Sequence, residues 1–306
     1  MSDGRRIAFL GLGHMGLPMA TNLVADGWAV RGYDPQPAAA QAATSAGVEM
    51  ASSLAEAAED ADMVITMLAS GAQVLDCYRP PSHLLDIVSP NALVIDCSTI
   101  DIGDARQLHA MVSGSGRHCL DAPVSGGGVG AAAATLTFMV GGTEASFATA
   151  SPVLGSMGKR LVHCGEAGAG QAAKVCNNMI LAVSMIAVSE AFVLGESLGL
   201  SHQALFDVTS AASAQCWALT TNCPVPGPVP TSPANFDYRP GFATSLMVKD
   251  LRLAEAAAEL TGVDTALGRH ATRIYEALGE EPGDLDFSAV INAVRSHSAL
   301  KGPSHD

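Results

Sequence analysis

Short apolar runs alternate with alanine-rich stretches of helical periodicity through the first half of the chain. Residues 7–10, 29–33, 63–67, 93–96 and 118–122 are predicted strands, and residues 15–26, 37–46, 53–58 and 103–113 between them carry helical patterning. Such alternation predicts βα units and an α/β fold with a doubly wound parallel sheet. Residues 135–140, followed by Gly141-Gly142, read as one further strand and 160–164 as the last. Beyond Gly170 the pattern changes. Residues 171–198 form one helical stretch, apolar nearly all round, as expected of a helix buried between two domains. Further helices are predicted at 203–211, 246–261, 265–278 and 287–296, interrupted by a Pro/Gly loop over 223–233. The chain therefore divides into an α/β domain, 1–165, and an all-α C-terminal domain, 166–306, joined by a long interdomain helix. No internal repeat is present.

Composition narrows the classes. A length of 306 residues accommodates two cores, and a hydrophobic content of 48% with only 5% aromatic residues predicts cores of Ala, Val, Leu, Ile and Met. The formal charge of −14 argues against nucleic acid and anionic membrane surfaces as partners. The seven dispersed cysteines lack a Cys-x-x-Cys pair, which predicts buried thiols in a reducing compartment and no disulfide framework. Nine histidines without ligand spacing predict no metal site. The most apolar stretch, 179–193, is interrupted by Ser184, Ser189 and Glu190 and is expected to be too short and too polar for a bilayer. No targeting segment is read before the first strand. The expected location is cytoplasmic.

Gly11-Leu12-Gly13-His14-Met15-Gly16 follows a predicted strand and opens a predicted helix. The first glycine permits a tight turn, the second lets backbone approach a pyrophosphate, and the third packs helix on strand, so this segment predicts a Rossmann-type dinucleotide site. Asp34, at the end of the second strand, is placed to bind the adenosine ribose. Pro35 follows it where an arginine would suit a 2′-phosphate, which favours NAD over NADP. His14 is assigned a backbone contribution and no side-chain chemistry.

Lysine is scarce: Lys159, Lys174, Lys249 and Lys301 stand against twelve arginines. An ammonium can lose a proton when desolvated, whereas a guanidinium cannot, so a lysine in a dense polar signature is a candidate for acid/base work. Lys174 lies in Gly168-Ala-Gly170-Gln-Ala-Ala-Lys174-Val-Cys-Asn177-Asn178, and its four-residue spacing to Asn178 puts both on one helix face. Asp121-Ala-Pro-Val-Ser125-Gly126-Gly127 follows another predicted strand, at the edge where α/β sheets bind ligands. The Ser125 hydroxyl and the amides of Gly126 and Gly127 suit a carboxylate.

These segments, together with Lys249-Asp250, resemble the β-hydroxyacid dehydrogenases in order and spacing along nearly the whole chain. Cys216-Trp217, the Pro224–Gly227 loop and Gly241-Phe242 before Met247-Val-Lys249-Asp250-Leu251 are similar to the branch that acts on 3-hydroxyisobutyrate. The resemblance implies NAD-linked oxidation of 3-hydroxyisobutyrate to methylmalonate semialdehyde in valine breakdown. It implies Lys174 as catalytic acid/base and Asn178 as a residue holding substrate and orienting that lysine. Ser125, Gly126 and Gly127 would grip the carboxylate, and Lys249 would lie near nicotinamide and substrate. Leu68, Thr99 and the Leu12–Met15 turn would contact the cofactor. A homodimer or homotetramer is implied as well. A tartronate semialdehyde reductase, or a dehydrogenase of serine or another 3-hydroxy acid, remains open as the alternative within the family, and a non-catalytic NAD sensor outside it. One departure is Ala134, where the family has Gly before the Thr-Leu-Thr strand.

Overall fold

Strands buried on both faces, their side chains alternating between two cores, build the centre of the sheet in the computed structural model, which describes residues 5–278 and 285–299. In β1 (Arg6–Leu10), Ile7 and Phe9 enter one core and Ala8 and Leu10 the other. Leu93 and Ile95 of β5 (Leu93–Asp96) oppose Val94 in the same way. Strands covered on both faces must be apolar throughout, which is why the sequence shows runs here and no alternation with polar residues. The other elements up to that point are α1 (Gly16–Ala25), β2 (Ala29–Tyr33), α2 (Pro37–Ser45), β3 (Glu49–Met50), α3 (Leu54–Ala58), β4 (Met63–Thr66), α4 (Gly71–Tyr78) and α5 (Leu84–Ile87). After β5 come α6 (Ile102–Gly114), β6 (His118–Asp121), β7 (Val124–Ser125), α7 (Gly127–Ala132), β8 (Leu136–Gly141), α8 (Glu144–Gly155) and β9 (Gly158–Gly165).

The strand order is β3-β2-β1-β4-β5-β6-β8-β7, with β9 paired to β8. The order reverses between β1 and β4, so a crevice opens beyond their carboxyl ends, where doubly wound sheets take nucleotides. The expectation of a parallel sheet holds from β3 to β6. It is corrected beyond, because β8 runs antiparallel to β6 and to β7. The two-residue strands β3 and β7, and helices α4, α5, α7 and α8, are additions to the sequence reading. β3, β7, α5, α7 and α8 are too short, or too rich in Gly, Ala, Ser or Thr, for periodicity to stand out, whereas α4 does carry an apolar face of Val74, Leu75 and Tyr78.

α9 (Ala169–Ser197) is one continuous helix of 29 residues. Next come α10 (His202–Ala211), α11 (Trp217–Thr220), α12 (Thr244–Thr261), α13 (Ala266–Leu278) and α14 (Val290–Ala299), with 3₁₀ turns at Pro233–Asn235 and Phe287–Ala289. Packing divides the chain into two compact units, Met1–Lys174 and Val175–Asp306, and the division falls inside α9. The second unit has its own core, centred on Met185, Met247, Tyr275 and Phe287.

Two expectations about α9 are corrected. It is not covered on every side, since Ile180 and Leu194 are 63% and 59% exposed. By length and composition alone it is also long enough and apolar enough to cross a bilayer, because it extends well past the apolar segment judged too short. Its buried Gln171, Lys174, Asn178 and Ser189 and its share in the second unit's core mark it as a core helix. The expectation of buried thiols is met at Cys77, Cys97, Cys119 and Cys223, whereas Cys176 is exposed and Cys164 and Cys216 are half-buried.

Candidate active site

The glycines of the first turn are required by close approach. A Cβ at Gly11, whose φ is +91°, would strike the Met67 carbonyl and the Leu68 side chain; one at Gly16 would strike the Gly11 carbonyl. Gly13 is different: open space lies where its Cβ would be, and the residue is exposed. α1 begins at this turn with neither a side-chain cap nor an acidic residue in its first turn, whereas α3, α4, α6 and α8 are capped by Ser53, Ser70, Asp101 and Thr143. Within α1 itself Leu17 N donates to Gly13 O and Pro18 has no N–H, so what this turn offers a pyrophosphate is the open glycine cradle ahead of Leu17. Asp34 is held by two backbone donors, Leu12 N at 2.7 Å and Gln36 N at 2.9 Å, so its carboxylate is oriented at the end of β2 and ties that strand to the glycine turn. Leu12 is buried, and Met15 is half-buried against the first core. The exposed His14 does more than lend its amide, because its imidazole packs where a Cβ at Gly128 would sit.

Leu68 and Thr99, both half-buried, leave the carboxyl ends of β4 and β5. A buried polar network binds these two loops. Asp96 Oδ1 accepts from Thr66 Oγ1 at 2.6 Å and from Ser98 Oγ at 2.6 Å, and Ser98 Oγ accepts from Leu68 N at 2.8 Å. The second oxygen of Asp96 is buried without a partner. Burial pushes this carboxyl up to about 6, against the lowering effect of its Ser98 and Thr66 hydrogen bonds, with the Asp121 charge adding to the rise.

Asp121 seats the start of α9. Its Oδ1 accepts from Gly168 N at 2.8 Å and lies 3.0 Å from His109 Nε2, while its Oδ2 accepts from Gln171 N at 2.9 Å. Amides at a helix start have no intrahelical partner, and a carboxylate there satisfies both them and the helix dipole. Gly170 is needed for the same fit, since a Cβ there would meet the Met139 and Asp121 carbonyls. Gln171, fully buried, reaches the β5 loop: its Oε1 accepts from Ile100 N at 3.2 Å and its Nε2 donates to Ser98 O at 2.7 Å.

Lys174 follows one turn later and is 7% exposed. Asn178 is buried, its Nδ2 donating to Asp250 Oδ2 and its Oδ1 accepting from Asn177 Nδ2 at 2.9 Å. Ser125 and Gly127 are half-buried and Gly126 exposed; both glycines have positive φ, +135° and +61°. Lys249 is half-buried, and its neighbour Asp250 is only 4% exposed, so the pair is no ordinary surface pair. Ala134 takes φ +53°, the left-handed conformation that favours glycine.

The sequence reading passed over the roles of Asp121, Gln171, Asp96 and Asp250. Asp121 and Asp250 lie inside the Asp121–Gly127 and Lys249-Asp250 motifs, and Gln171 stands three residues before Lys174. What marks them is contact with residues distant in the chain, which no local pattern contains. Among the described residues no group of three or more His, Cys, Asp and Glu could hold a metal.

Residues 6–165 match the family model of the NAD-binding domain of 6-phosphogluconate dehydrogenase, and residues 168–294 that of the NAD-binding domain of NADP-dependent 3-hydroxyisobutyrate dehydrogenase. The solved Mycobacterium tuberculosis 3-hydroxyisobutyrate dehydrogenase with L-serine superposes with a TM-score of 0.91 at 56% identity, over 96% of this chain and 100% of that one. An NAD-dependent L-serine dehydrogenase of Pseudomonas aeruginosa is 43% identical over 94% of this chain and 96% of its own length. The human mitochondrial 3-hydroxyisobutyrate dehydrogenase is 42% identical over 96% of this chain and 88% of its own. With the glycine cradle, Asp34 and the buried lysine in one chain, these likenesses make it a member of the β-hydroxyacid dehydrogenase family, close to 3-hydroxyisobutyrate dehydrogenase: an NAD-dependent oxidoreductase acting on the CH–OH group of 3-hydroxy acids.

Proposed function

We propose that the protein oxidises 3-hydroxyisobutyrate to methylmalonate semialdehyde in valine breakdown, with Lys174 as the acid/base. The observation that carries the chemistry is a lysine only 7% exposed, on a helix whose start is held by Asp121 and Gln171. NAD, when bound, accepts the hydride from the carbinol carbon. The protein's part is to hold the substrate and take the hydroxyl proton. Lys174 Nζ, in its neutral amine form, accepts that proton; in the reverse direction the ammonium returns it to the carbonyl oxygen. Ser125 Oγ and the amides of Gly126 and Gly127 bind the carboxylate, while Asn178 and Lys249 also hold the substrate. On the cofactor, Gly11, Leu12, Gly13, His14, Met15 and Gly16 line the pyrophosphate turn, Asp34 takes the adenosine ribose, and Leu68, Thr99 and Lys249 serve the nicotinamide half. In this reading residues 1–165 bind the dinucleotide and 166–306 serve substrate and oligomerisation, in a cytoplasmic homodimer or homotetramer.

L-Serine is the second reading. It is named with the Pseudomonas relative and with the M. tuberculosis structure, and it carries the same 3-hydroxy carboxylate frame. A kcat/KM panel of 3-hydroxyisobutyrate and L-serine with NAD and NADP, and of methylmalonate and tartronate semialdehydes with NADH and NADPH, ranks the substrates. Preference for 3-hydroxyisobutyrate with NAD supports the proposal, and a higher value for another acid replaces its substrate. Lys174→Ala should lower kcat by about 100-fold or more, the scale of general acid/base catalysis, with NADH affinity retained. Wild-type turnover in that variant would remove the lysine from the mechanism.

A further inference from the structure

Gln171 has an unusual position for a residue with no place in the chemistry above. It is fully buried, three residues before Lys174, and both ends of its side-chain amide are spent on backbone. The groups it holds, Ser98 O and Ile100 N, bracket Thr99. Its own amide is fixed by Asp121 Oδ2 at 2.9 Å, so the clamp is anchored at the helix as well as at the loop. All of these residues belong to the unit Met1–Lys174. The held loop is also tied to its neighbour, since Ser98 Oγ accepts from Leu68 N at 2.8 Å.

We propose that Gln171 is the positioning residue of the active site, stapling the helix turn that carries Lys174 to the Ser98–Ile100 loop that carries Thr99. The inference rests on Lys174 as acid/base and Thr99 as a cofactor contact. Hydride and proton leave the same carbinol, so the amine and the nicotinamide must be fixed relative to each other, and a misplacement of about 1 Å can cost about 100-fold. A side-chain amide suits the task because it offers one donor and one acceptor in a plane, matching the free C=O and N–H of an extended backbone segment. Neither a carboxylate nor a lysine offers that pair.

Gln171→Met keeps the length of the side chain and removes both hydrogen bonds. Its kcat should fall by about 10- to 100-fold while the KM of the hydroxy acid stays nearly unchanged. Its NADH dissociation constant, read by fluorescence, should rise by roughly fivefold, the scale of one lost hydrogen bond. Gln171→Glu supplies a pH-dependent rescue, because only the protonated carboxyl can donate to Ser98 O. Buried near Asp96 and Asp121, that carboxyl is expected to take up its proton well above the usual range, although the Lys174 ammonium opposes this. The ratio of Gln171→Glu to wild-type kcat, measured at each pH, should therefore climb from pH 8 to pH 6.

Wild-type kcat in Gln171→Met, or a Gln171→Glu ratio that is flat with pH, overturns the proposal; if Gln171→Met fails to fold, the ratio decides alone. Lys174→Ala run in parallel separates the two ideas. Should it keep full turnover, the acid/base reading fails, and the NADH affinity of Gln171→Met, which needs no lysine, still decides for or against the clamp.

Discussion

Asp96 is a carboxyl whose surroundings contradict its charge. It is fully buried beside Cys97, with one oxygen unpartnered, and burial also raises the thiols of Cys97 and Cys119 and the phenol of Tyr78. An acid with a native value of about 6 and an ordinary value of 3.8 holds its proton more tightly in the folded state. Folding is therefore favoured by this group below about pH 4, and the advantage is lost as pH rises through 6. At 1.36 kcal/mol per unit the loss is of the order of 3 kcal/mol. Asp96→Asn keeps an oxygen for Thr66 and Ser98 and removes the charge. Its melting temperature should exceed that of wild type at pH 8, and the difference should shrink to nothing, or reverse, by pH 4. An equal difference at both values would show that Asp96 is not the titrating group. None of this was legible in the sequence, where Asp96 ends a predicted strand like any other, because desolvation comes from neighbours brought in by β4 and β6.

At the scale of elements, α1 and α9 are opposites. α1 opens on a glycine turn with no side-chain cap, fit for an anion from outside; α9 has its start satisfied from within by Asp121. The first was legible, since a glycine turn between strand and helix is a local pattern. The second was not, because Asp121 and Gln171 are fifty residues apart. Removing the carboxylate should leave two buried amides without an acceptor at the base of the helix that carries Lys174. Asp121→Ala is expected to lose roughly 3 kcal/mol of stability, seen as a lower urea midpoint, and to lose kcat as well. An unchanged midpoint would mean that water or His109 replaces the carboxylate. The length of α9 as a helix was read correctly, but the extent of its apolar run and its coverage were not. Periodicity counts apolar residues and does not say what covers them.

At the scale of the whole molecule, the second unit leaves Leu194, Leu198, Leu200 and Val208 between 47% and 71% exposed, side chains that association would cover. Light scattering coupled to size exclusion should give the mass of two or four chains, and the mass of a single chain at micromolar concentration would exclude the proposed oligomer. The charge of −14 weighs against encounter with an anionic substrate. The proposed site would therefore act locally, through glycine amides, Ser125 and two of only four lysines, and Lys301, outside the described residues, has no assigned part.

By itself the sequence determined the alternating elements, the dinucleotide turn with Asp34, the scarce lysines in their motifs and, through those motifs, the family. All of these are written in near-neighbour spacing, where backbone periodicity and turn chemistry leave a direct trace. The tertiary structure alone decided that β8 runs against β6, that Asp121 and Gln171 carry the helix of Lys174, and that Asp250 holds Asn178. Those facts depend on burial and on hydrogen bonds across tens of residues. A polar side chain's role there is set by which backbone groups folding leaves without water.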